Sequence, residues 1–102
     1  MISQSYNKDL EQAIARLGSQ VNAFRLRRSF KTAANVYSTA SQYTQILEGI
    51  EREQRGIPKK LLTDYTRNIE NVLKVLGESD DPNVRYMFIL THSMLTGLCN
   101  TS

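Results

Sequence analysis

The chain has 102 residues, 40% of them hydrophobic and 23% charged, with a formal net charge of +3. That length suits a single domain, whose folding removes about 60–70% of the unfolded chain's surface from water, and the balance of apolar to charged residues excludes disordered and membrane-spanning classes. The longest apolar run, Tyr86 to Leu90, is too short to cross a bilayer, Met1-Ile2-Ser3-Gln4 has no basic segment leading into an apolar one, and Cys99 has no second cysteine to pair with, so an intracellular location, cytoplasmic or nuclear, is expected.

The first element runs over about residues 5–28, where Tyr6, Leu10, Ala13, Ile14, Leu17, Val21 and Phe24 recur every three or four positions. Gly18 lies inside it and costs about 1 kcal/mol relative to alanine, so a close crossing with a neighbouring helix is expected there. The second stripe, Ala33, Val36, Ala40, Tyr43, Leu47 and Ile50, has coiled-coil spacing and places a helix over 30–55. At about 100° per residue the two stripes are out of phase, so one straight rod would present two different faces. A break near Ser29 to Lys31, with Ser29 as the N-cap, resolves the offset and makes an antiparallel hairpin instead.

Gly56 ends the second helix, and Ile57-Pro58 opens a third over 58–76 with Leu61, Leu62, Tyr65, Ile69, Val72, Leu73 and Leu76 on one side. Asp80-Asp81-Pro82 restarts the chain, with Asp81 positioned to cap and Pro82 at the first helical position. The last helix, 82–98, is apolar nearly all round and is expected to be the most buried element or an interface. The connection Leu76 to Arg85 is similar to the inter-helix turn of HEAT and armadillo repeats, which would imply stacked helix pairs. Residues 1–56 show no matching period, and a capped helical hairpin accounts for the same letters. The fold expected is all-α, a four-helix bundle-like domain over residues 1–102 built from two antiparallel hairpins.

Little in the chain supports catalysis. His92 is the only histidine and falls in the most apolar helix, where a core or interface role is the ordinary one. The sequence has no glycine-rich phosphate loop, no metal-spaced His/Cys set and no nucleophile motif, and Asp80-Asp81 is accounted for by capping. We therefore expect a non-enzymatic chain with no cofactor, no metal and no small-molecule substrate.

Two features could carry binding. Apolar surface beyond one stripe per helix points to helix-helix packing with another protein or a second copy, as an adaptor, chaperone-like or assembly subunit. Tyr37, Tyr43 and Leu47 on the second helix and Tyr86, Phe88 and Met94 on the fourth are the candidate contacts, because tyrosine is rigid and amphipathic and methionine adapts its shape. The alternative is nucleic acid held by Arg25, Arg27, Arg28 and Lys31, where guanidinium forks match phosphates and Phe24 and Phe30 could stack on bases. No membrane partner is expected.

Overall fold

Each helix boundary has a local cause. The computed structural model describes residues 4–101, with α1 at Gln4–Leu26, α2 at Phe30–Gln54, α3 at Lys59–Gly77 and α4 at Pro82–Thr101. Met1 to Ser3, part of the segment read above as lacking a leader, lie outside the described residues. The all-α, four-helix architecture is as expected, and the rod is excluded: α1 and α2 are separated by a bend at residues 27–29.

That bend is built by two side chains. Ser29 has extended backbone (φ −129°, ψ 165°), and its Oγ accepts the Thr32 amide at 3.2 Å while Thr32 Oγ1 accepts the Ser29 amide at 3.1 Å. This is a reciprocal capping box with threonine where glutamate is usual. The Thr32 hydroxyl also donates to the Arg27 carbonyl at 2.7 Å, so α1 stops at Leu26, two residues short of the expected Arg28.

At the far end of α2, Arg55 takes the left-handed conformation (φ 56°) and its amide bonds back to the Glu51 carbonyl. Gly56 follows with φ 151°, a region that side-chain-bearing residues rarely enter. Pro58 sits at the N-cap with no side-chain bond to the helix, so α3 begins at Lys59, one residue later than expected. Asp81 caps α4 as anticipated, its Oδ1 accepting the Asn83 amide at 2.8 Å, with Pro82 at the first position.

The helices run alternately up and down. Tyr6 near the start of α1 lies against Gly49 near the end of α2, and the Arg28–Glu78 ion pair, at 3.4 Å, joins the α1–α2 corner to the end of α3. Thr44 and Glu48 of α2 line a cavity with Met94, Gly97 and Leu98 of α4, so these two helices run in the same direction. In cross-section α1 lies along α2, α2 along α4 and α4 along α3, while α3 meets α1 only briefly and α1 does not reach α4. The body is accordingly elongated and flat, 42 × 25 × 17 Å.

Of the two outcomes expected for α4, deepest burial or an interface, the first is not found: α2 has the largest number of buried residues among those described. Its whole seam, Ala33, Val36, Ala40, Tyr43, Leu47 and Ile50, is enclosed because neighbours cover it on more than one side. Among the described residues of α4, Val84, Met87, Thr91 and Leu98 alone are buried, since α1 does not close its second face. Tyr43 and Leu47, expected as partner contacts, are 1% and 0% exposed and belong to the core; their seam packs within the chain itself. Gly18 is also corrected: it is exposed, and a β-carbon there would have no neighbour within 4 Å. The tight approaches occur instead at Gly49 and at Gly77, where a β-carbon would stand 3.3 Å from the Phe88 ring.

Between α2 and α3 the core is polar at two points. The Tyr43 and Tyr65 rings meet edge to face at 5.0 Å and 78°. Thr44 donates its one hydroxyl proton to the Ala40 carbonyl at 2.8 Å, so the 2.7 Å contact with Tyr65 is a bond that the tyrosine donates. The Asn68 amide donates to the Tyr43 hydroxyl at 3.1 Å. Among the described residues no buried side-chain nitrogen or oxygen lacks a partner.

This geometry sets the response to substitution at two glycines and one tyrosine. Gly18→Ala should raise the unfolding free energy by about 1 kcal/mol in a urea titration, whereas Gly56→Ala should lower it by roughly 1 kcal/mol or more, because only the second site has a backbone that disfavours a side chain. Burial above all pushes the Tyr65 hydroxyl from its ordinary 10.0 up to about 12. A folded-state value above the unfolded one means stability that is complete below pH 10 and is lost as the pH climbs towards about 12. Tyr65→Phe should cost about 1 kcal/mol at neutral pH and flatten that alkaline loss; superimposable alkaline curves for the two proteins would refute the assignment.

Candidate interaction surface

The residues singled out as contacts divide into three environments. Tyr43 and Leu47 are interior. Tyr37, Phe88 and Met94 are half-buried and pack against the core with one side. Tyr86 alone stands well out, 57% exposed, and the structure sets Ile89 beside it at 58%.

Helical geometry explains the grouping on α4. Val84, Met87, Thr91 and Leu98 face inward, so positions near the opposite side of the helix, Arg85, Tyr86, Ile89, Ser93, Thr96 and Asn100, face outward, and all six are exposed. Of the six only Arg85 carries a formal charge, and it is the only Asp, Glu, Lys or Arg on the entire helix. The outward sides of the other helices are different: α1 shows Lys8, Glu11 and Arg16, and α3 shows Lys60, Arg67, Glu70 and Lys74. Gly77, Arg85, Phe88 and Ile89 line a cavity of about 220 Å³ at the α3 edge of this strip.

Ile89 was missing from the sequence-derived contacts. In a helix apolar nearly all round, periodicity cannot say which apolar side is turned out. That depends on where α1 and α3 lie.

His92 is exposed rather than enclosed, with its ring stacked on Phe88 at 6.4 Å and 12°. Cys99 is exposed too, with its Sγ 3.8 Å from the Thr66 hydroxyl. Among the described residues no three His, Cys, Asp or Glu side chains gather where they could hold a metal ion. A broad groove of about 800 Å³ runs along α3 past Leu62, Thr66, Arg67 and Lys74, but its lining residues all come from that one helix, so no second element faces them across it. At the other end of α1, a hydrogen bond to Glu53 is the main cause that raises the Tyr6 hydroxyl above its ordinary value, a tie between the start of α1 and the end of α2.

The basic corner is assembled as the sequence suggested, with Arg25, Arg27, Arg28 and Lys31 all exposed around the bend at residues 27–29. Of the four, only Arg28 makes an ion pair among the described residues, the exposed one to Glu78. Phe24 is wholly buried and takes no part in this surface, whereas Phe30 is 49% exposed. Leu26, which the stripe analysis passed over, is 90% exposed in the middle of the cations. Its signal was available: it falls outside the Leu17, Val21, Phe24 stripe and is flanked by arginines.

Among the described residues, no helix is long and apolar enough to cross a membrane. Comparison with protein-family models, with curated proteins and with solved structures finds no match to this chain.

Proposed function

We propose that this chain is a non-catalytic interaction module that packs the outward strip of α4 against a helix of another protein or of a second copy. The observation that carries the reading is the charge-poor strip itself, with Tyr86 and Ile89 more than half exposed on a helix whose only formal charge is Arg85. Interface centres are depleted in charge and anchored by large amphipathic or apolar side chains, and an exposed helix face with no partner ordinarily carries charged residues.

The strip also has the relief that helix packing needs. Ser93 and Thr96 are small, so a partner backbone can come close there, while Tyr86 and Ile89 supply the apolar bulk one to two turns earlier. The neighbouring cavity beside Phe88 and Gly77 is a place for one inserted side chain.

The test pairs surface substitutions with a nuclease control. Tyr86→Asp combined with Ile89→Asp should leave the unfolding free energy within about 0.5 kcal/mol of the parent, because both side chains are exposed. The pair should weaken capture of a stoichiometric protein partner from nuclease-treated extract, or self-association in light scattering, by tenfold or more (about 1.4 kcal/mol). Arg25→Glu with Arg27→Glu and Arg28→Glu should leave that binding intact. Binding that survives the α4 substitutions and disappears with nuclease would sink the reading in favour of nucleic acid at the basic corner.

A further inference from the structure

We infer that the bend between α1 and α2 is a docking tip for an anionic lipid surface, independent of the α4 strip. The tip combines two features that seldom share so few residues. Leu26 is 90% exposed and Phe30 49% exposed, and both are interleaved with Arg25, Arg27, Arg28 and Lys31, which are exposed as well.

Leu26 is the last residue of α1 and Phe30 the first of α2, so the two apolar side chains flank the bend at one end of a body 42 Å long. The bend is rigid because Ser29 and Thr32 bond each other and Thr32 bonds the Arg27 carbonyl. A fixed, projecting apolar pair surrounded by cations matches the layered chemistry of a membrane surface. The apolar groups enter the boundary between headgroups and acyl chains, and the long arginine and lysine stems lie over them with their charges on lipid phosphates.

Charge complementarity selects an anionic surface over a neutral one, since each lysine or arginine held near the surface gains from acidic lipid. Acidic residues do share this end of the molecule. Glu78 is paired with Arg28, so Arg25, Arg27 and Lys31 stand against Asp80 and Asp81, the latter keeping its charge while it accepts the Asn83 amide, and the cations remain in excess. Leu26 decides between lipid and nucleic acid. A leucine adds nothing against phosphates and does not stack on bases as an aromatic ring does, whereas at a lipid surface it supplies an apolar attraction beside the electrostatic one. This departs from the expectation of no membrane partner, which rested on the lack of a spanning segment, whereas surface contact needs far less apolar chain.

The experiment is co-sedimentation of the full chain with vesicles of phosphatidylcholine alone and of phosphatidylcholine with about 30% phosphatidylserine, at low and physiological salt. Anisotropy with a labelled single-stranded oligonucleotide runs in parallel. Binding to the acidic vesicles only is expected, weakened at least fivefold by Leu26→Ser and abolished by Arg25→Glu with Arg27→Glu. A Phe30→Trp variant should show a blue-shifted emission when the acidic vesicles are added. Circular dichroism of each variant guards against unfolding, which the exposure of these side chains makes unexpected. The proposal is overturned by three results: no binding to acidic vesicles, vesicle binding that is indifferent to Leu26→Ser, or preferential binding of the oligonucleotide.

Discussion

The edge-to-face contact of Tyr43 with Tyr65 governs how the four helices sit. Their backbones approach little along α2 and α3, so these two rings, 5.0 Å apart, bridge much of the space between them. Each ring carries a hydroxyl that cannot be left dry and unpaired, and each finds one specific partner, Asn68 for Tyr43 and Thr44 for Tyr65. An all-aliphatic seam tolerates slippage along a helix. Two buried hydroxyls with fixed partners do not, and they set both the rotation and the register of α3 against α2.

With α2 and α3 held in that way, α1 and α4 occupy the two remaining sides and are kept from each other. Two consequences follow. The central position falls to α2, the helix with the most regular seam, and not to the helix with the highest apolar content. The outward side of α4 is then left without a cover from its own chain, which is the physical origin of the exposed Tyr86 and Ile89. Solvent-facing apolar groups are thus traced to packing geometry rather than to composition alone.

The helices themselves were legible because their signals are local. Ser29, Gly56, Pro58, Asp81 and Pro82 each act within a turn of the boundary they mark, and the phase offset between the first two stripes demanded a bend where one is found. The deviations were also local in cause, as with Thr32 capturing the Arg27 carbonyl and ending α1 early. Burial was less legible. Tyr43 and Leu47 read equally well as interface or core from spacing alone, and the distinction rests on how many neighbours surround α2. Ile89 was unreadable for the same reason in reverse, since a helix with apolar groups on every side gives no phase to read. Leu26 was readable in principle, because a leucine off its stripe and between arginines has no place in a core.

One asymmetry of the fold bears on how copies of this chain could exchange parts. Only α2 runs alongside most of α1, which is tethered to it through three residues whose bend is secured by the hydroxyls of Ser29 and Thr32. No glycine or proline lies between Gly18 and Gly49, so the intervening sequence is compatible with continuous helix once those hydroxyl bonds are gone. A straightened joint would offer the α1 of one molecule to the α2 of another, but the offset of the two stripes would turn their apolar faces apart and oppose that arrangement. The hydroxyls of Ser29 and Thr32 and the offset of the two stripes therefore act together, and both favour the closed hairpin over an exchanged one.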